Sequence, residues 1–163
     1  MPPDNNGRQR LEVHLEAMLR NENRPNPKLN SSESLVWTQI RLAKDETAID
    51  EVHEMILDGR LQSTRALSDL LRDADLIVGL DAYRSAGLHV EAQQCFIDLA
   101  LMHETDEEAA EVLVHMAQIA EQDETPIYAQ TLVNTLAECD ENASRRLGNL
   151  FVEMRKTGFN KFA

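Results

Sequence analysis

From residue 85 to residue 141 the chain has neither lysine nor arginine, and those 57 residues carry 13 acidic groups. Over all 163 residues, 29 acidic side chains face 16 basic ones, a formal net charge of −13 at pH 7. Such a block repels phosphates, which excludes direct binding of nucleic acid or an anionic membrane through it. Proline is missing between residues 28 and 125, and the six glycines are scattered, so no glycine-rich phosphate loop exists. Aromatics make up only 4% of the chain. The two cysteines, Cys95 and Cys139, fit no metal or redox spacing and read as small buried hydrophobes rather than a disulfide. No apolar run reaches membrane-spanning length, and MPPDNNGRQR lacks the apolar segment of a secretory signal, so a cytoplasmic location is expected.

What remains is helical periodicity. Leu11, Leu15 and Met18 mark a first helix over about Arg8 to Asn21, and "NENRPNPKLN" then forms a connector in which each residue before a proline is pushed out of helix. Val36, Ile40 and Ala43 stripe a second helix, and Ile49, Val52 and Ile56 a third that Gly59 stops. Ser63 is expected to cap a fourth on Leu67, Leu70, Leu71 and Ala74, with "RDAD" as a break before Leu76, Leu80 and Tyr83. Ala92, Cys95, Phe96 and Leu99 form the next stripe. Thr105 with Glu108 reads as a capping box ahead of Ala109, Leu113, Met116 and Ala120. Thr125 and Pro126 read as N-cap and first residue of a helix on Ala129, Leu132, Val133 and Leu136. Asp140 or Asn142 caps the last, which carries Ala143, Leu147, Leu150, Phe151 and Met154 to Gly158. The expectation is an all-α chain of about eight or nine helices. Residues 1–30 form an N-terminal helix and connector, 31–157 an all-helical domain, and 158–163 a tail.

Within "AYRSAGLHVEAQQCFIDLA", Ala82, Tyr83, Ala86 and Gly87 close one helix while Glu91, Ala92 and Phe96 build the next. This resembles a tetratricopeptide-type helix pair, and Ala129 follows Ala92 after 37 residues, near the period of such repeats. The resemblance covers about residues 75–139. It departs from the pattern at Leu76, at the inverted pair Gly79–Leu80 and at Glu104, where an aromatic, Leu–Gly and proline are expected. It implies antiparallel helix pairs in a right-handed array that exposes a binding groove. A compact helical bundle satisfies the same stripes.

Catalytic signatures are weak. Asp50 with His53 and Glu111 with His115 share helix faces, yet no Glu-x-x-His of the di-iron bundles occurs, and His103–Glu104 lies across a helix start. The acid pairs Glu51/Glu54 and Glu104/Glu107 raise an all-α metal-dependent hydrolase, but Asp75 and Asp81 stand at the wrong interval to complete its ligands. Neither cysteine has a basic neighbour to make it a thiolate. The reading is therefore a non-enzymatic protein without cofactor or metal: an adaptor, chaperone or regulatory subunit that binds a basic protein or peptide. Glu91, Asp98, Glu104, Glu107, Glu108 and Glu111 are its candidate contacts; Trp37 reads either as a core or edge anchor of the N-terminal helices or as an exposed interface anchor. The alternative is an acidic inhibitor of the nucleic-acid-mimic, immunity or anti-CRISPR type, which blocks a cationic groove. The tail combines Arg145, Arg146, Arg155, Lys156 and Lys161 with Phe151, Phe159 and Phe162. Its cations and apolar surplus point to docking and to a homo-oligomer or a subunit of a larger complex.

Overall fold

Capping chemistry sets most of the helix boundaries. The computed structural model describes residues 5–21, 23 and 27–156, without the side chains of Asn5 and Arg155. The helices are α1 (Asn5–Leu19), α2 (Ser31–Lys44), α3 (Ile49–Leu57, entered through a 3-10 turn at Glu46–Ala48), α4 (Arg65–Ala74) and α5 (Leu76–Ser85). They continue with α6 (His89–Met102), α7 (Asp106–Gln122), α8 (Ala129–Glu138) and α9 (Glu141–Lys156). The chain is all-α: among the described residues the β pairing is a single isolated bridge, Leu29 with Leu61. No described helix is long and apolar enough to cross a membrane.

Side chains cap the starts of α2, α4, α5, α7 and α9. Asn30 and Glu33 form a reciprocal capping box at α2, bonding each other's backbone amides at 2.9 and 3.0 Å. Asp75 interrupts the helical run in extended conformation, and its carboxylate accepts from the amides of Ile77 and Val78, so "RDAD" is indeed the break between α4 and α5. Asp140 caps α9 through the Ala143 amide at 2.7 Å. Two starts differ from the sequence reading. Thr64, not Ser63, caps α4, because the Ser63 hydroxyl is drawn away to the Ala82 carbonyl at 2.8 Å. Residues 125–128 do not open α8 but run as a connector, since the Gln93 side chain clamps them. Its amide donates to the Pro126 carbonyl at 2.8 Å and its oxygen accepts from the Tyr128 amide at 2.9 Å.

The chain divides into two compact units, Met1–Gly87 and Leu88–Ala163. The boundary follows Gly87, whose φ of 74° lies in the left-handed region that favours glycine. Within the first unit α5 packs on α3 and α4, and within the second α6 packs on α7 and α8. Helices α5 and α6, which carry the resemblance to a tetratricopeptide-type pair, therefore belong to different units. Helix α1 joins the first unit's core through Leu15 and Leu19, beside Trp37, Val52, Ile56, Leu67 and Leu71.

Trp37 is 1% exposed and sits in that core, which corrects its assignment as an interface anchor. Helix α2 buries Ser34, Trp37, Thr38 and Ile40; of the expected Val36–Ile40–Ala43 stripe, Val36 is half-buried and Ala43 exposed. Ser34 decides this rotation: its hydroxyl donates to the Leu29 carbonyl at 3.2 Å and accepts from the Gln62 amide at 2.9 Å, tying both flanking connectors to α2. Thr38 is fully buried, yet its hydroxyl finds no hydrogen-bond partner among the described residues. Thr38→Val keeps the shape and removes the stranded hydroxyl. It is expected to raise stability by about 1 kcal/mol, read as a higher urea midpoint at unchanged slope. A lower midpoint would mean that the hydroxyl is satisfied.

Candidate interaction surface

The α6–α7 corner is built around one arginine. Arg146 of α9 donates to the Leu101 carbonyl at 2.9 Å, to the His103 carbonyl, to the Thr105 carbonyl at 3.4 Å and to Asp106 Oδ1 at 3.0 Å. This guanidinium satisfies the orphan carbonyls at the end of α6 and holds the start of α7. Thr105 then caps α7 by accepting from the Glu108 amide at 3.2 Å. The Glu108 carboxylate faces His103 at 3.4 Å.

From this corner α7 presents Glu107, Glu108 and Glu111 outward, with Glu104 just ahead of the helix; all four are exposed. Their spacing of three and four residues places them on one face. Among the described residues no cation lies within ion-pair distance of Glu104, Glu107 or Glu111. The inner face of α7 carries Ala109, Leu113, Met116 and Ala120, as its periodicity predicts. His115 lies on the exposed side, edge-on to Phe96 at 5.8 Å between ring centroids.

The other sequence candidates are dispersed. Glu91 stands in the first turn of α6, and Asp98 seven residues on, about 10 Å further along the axis. Asp98 instead joins Glu138 and Asp140 around Cys139. That thiol is pushed above its ordinary value, first by burial and then by those three carboxylates. This second acidic group, from α6 and the end of α8, is a tertiary grouping that spacing does not show. Phe159, Phe162 and Lys161 lie outside the described residues.

The C-terminal cations are less free than the sequence suggests. Besides Arg146 with Asp106, Arg145 pairs with Glu141 at 3.3 Å and Lys156 with Glu153 at 2.9 Å. The acids sit one helical turn away on α9 itself, or on the neighbouring α7. The first unit shows the same economy. His53 bonds Asp81 at 2.7 Å rather than facing a metal with Asp50, and Glu51 of the Glu51/Glu54 pair is engaged by Arg41 at 3.0 Å. Asp75 is committed to capping α5. Among the described residues, no three His, Cys, Asp or Glu side chains are grouped to hold a metal ion.

Helix α8 departs furthest from its pattern. Its buried residues are Thr131 and Thr135, while Val133 is 57% and Leu136 43% exposed. Thr131 donates to the Val90 carbonyl of α6 at 3.3 Å, and Thr135 back-bonds to the Thr131 carbonyl at 2.9 Å. The apolar stripe expected to face the core thus faces solvent. Comparison with protein-family models, with curated proteins and with solved structures finds no match.

Proposed function

We propose that this chain is a non-enzymatic cytoplasmic interaction protein, an adaptor, chaperone or regulatory subunit, whose second unit binds a basic protein or peptide. The observation that carries the reading is the outward face of α7: Glu107 and Glu111 stand exposed, one helical turn apart, with no described cation to neutralise them. Carboxylates left in this state steer a cationic partner and discriminate against an anionic one. The reading does not depend on the helix pairs forming a repeat. Arg146 supports it, because it holds rigid the corner from which these acids project.

A second reading draws on the same face. The acids lie on the outer side of a single helix, a convex ridge, which is also what a protein needs to occupy a cationic nucleic-acid groove. The two differ in consequence: a partner held by an adaptor keeps its nucleic-acid binding, and one blocked by a mimic loses it.

The test is affinity capture with the parent chain and with the triple variant Glu107→Lys, Glu108→Lys, Glu111→Lys. The parent is expected to retain a basic partner at low salt and release it as salt rises, and the variant to bind about tenfold or more weakly. Retention of the same partner by both proteins would remove this surface from consideration. Assembly is proposed as well: the C-terminal segment with Val152 exposed on α9, together with Phe159 and Phe162, joins a second copy or a larger complex. Light scattering on the full chain and on a chain ending at Arg155 tests it, and two monomers of equal stability overturn it.

A further inference from the structure

The strongest unexplained feature is the orientation of α8. An amphipathic helix ordinarily buries its aliphatic side, because that burial is the main return for ordering it. Here Ala129, Val133, Leu136 and Ala137 are exposed, Leu132 is half-buried, and two threonines occupy the inner positions. The rotation is fixed by polar bonds, not left loose. Thr131 is tied to Val90 of α6, and the connector ahead of the helix is clamped by Gln93. A rotation that buried Val133 would break the first of these bonds.

The C-terminal end of the face is acidic. Helix α8 ends at Glu138 and is followed by Asp140, with Asp98 of α6 close enough to act with them on Cys139. No lysine or arginine lies between residues 85 and 141. The 85–141 block of a second copy would bring no lysine or arginine to neutralise this end. A cationic occupant meets both requirements, apolar contact and neutralisation.

Resting on the function proposed above, we infer that the exposed face of α8, ending at Glu138 and Asp140, is the seat for an amphipathic helix of a basic partner, with aliphatic side chains at three- and four-residue spacing on Val133 and Leu136 and its lysines or arginines at the acidic end. The α7 acids then steer approach, and α8 supplies the apolar contact that holds the complex.

The probe is a fluorescent 14-residue helix of leucine and lysine with leucines on one face, alongside a scrambled peptide of equal composition and charge. Anisotropy titration of the full chain is expected to show binding of the helical peptide at least about tenfold tighter than the scrambled one. Val133→Asp with Leu136→Asp is expected to abolish that preference, and Glu138→Lys to weaken binding. Ile77→Asp, on α5 and equally exposed, serves as the control and leaves binding unchanged. Circular dichroism establishes that each variant is folded; Glu138→Lys touches only an exposed side chain and keeps the test alive should the double variant unfold. Bound peptide is further expected to slow alkylation of Cys139, which borders the face, and to leave the buried Cys95 unaffected. Equal binding of both peptides, or binding unaffected by the α8 substitutions yet lost in the α7 triple variant, overturns the seat and leaves the proposed function standing. No binding of either peptide under any salt condition counts against both. A dimer that the α8 substitutions convert to monomer identifies a second copy as the occupant. Binding that appears only after removal of residues 157–163 identifies the chain's own tail. Either result overturns the inference.

Discussion

Gly79→Ala is expected to destabilise the first unit by about 3 kcal/mol, although alanine is the better helix former by about 1 kcal/mol. The reason is the approach of α4 to α5. A Cβ built on Gly79 would lie 2.5 Å from Arg72 Cα, 2.7 Å from its Cβ and 2.8 Å from its backbone nitrogen. Ordinary carbon contacts are about 3.5–4.0 Å, so α4 would have to retreat by about 1 Å. It cannot do so alone. Leu67 and Leu71 of the same helix are buried in the core, and the Ser63 hydroxyl just ahead of α4 is bonded to Ala82 of α5. Gly148 of α9 supplies the comparison, for it is also inside a helix but a Cβ there meets nothing within 4 Å. Gly148→Ala is expected to raise stability by about 0.5–1 kcal/mol, from helix propensity alone. Urea denaturation of the two variants should shift in opposite directions. Equal shifts of the same sign would show that the α4–α5 contact is soft.

That glycine also shows what the residue pattern conveyed and what it hid. Of the small residues of 79–92, Ala82 and Ala92 are buried, while Ala86 is half-buried and Gly87 exposed. The tight approach, however, is between α4 and α5 at Gly79, a position the sequence reading noted only as a departure from the repeat pattern. Helix extents were legible almost throughout, because stops such as Gly59 and Gly87 and caps such as Asp75, Thr105 and Asp140 act locally. Faces were legible where apolar residues dominate the inner side, as in α7 and α9. In α2 and α8 the inner side includes Ser34, Thr38, Thr131 and Thr135. Short hydroxylated side chains count as polar in a periodicity, yet three of these four are buried with hydrogen-bond partners supplied by the chain. The acidic surface was visible as a charge count. Its grouping was not, since the pairing of Asp106 with Arg146 spans 40 residues and the gathering of Asp98 with Glu138 and Asp140 also spans 40 or more.

Arg146→Ala is expected to cost the second unit about 3 kcal/mol and to loosen the acidic face with it. The guanidinium is three-quarters buried and makes four hydrogen bonds, three to backbone carbonyls and one to Asp106. A hydrogen bond to a charged group contributes about 1.5–3 kcal/mol, and the bonds share one side chain, so their loss is less than additive. Alanine would leave the Leu101 and His103 carbonyls, both on half-buried residues, to find water or go unpaired. Lysine is expected to restore less than half, because a single ammonium cannot reach carbonyls on both sides of the corner as the planar fork does. Arg145 is the control. It is 69% exposed and paired with Glu141, itself 87% exposed, so Arg145→Ala should change stability by about 0.5 kcal/mol or less. Denaturation midpoints separate the pair, and hydrogen exchange locates the effect: amides of residues 101–111 should lose protection in Arg146→Ala while those of α3 to α5 do not. The same corner carries Glu104, Glu107 and Glu108, so Arg146→Ala should also weaken capture of a basic partner at temperatures where the chain remains folded. If Arg146→Ala and Arg145→Ala prove equally mild, the corner is held by its apolar contacts and the arginine is dispensable.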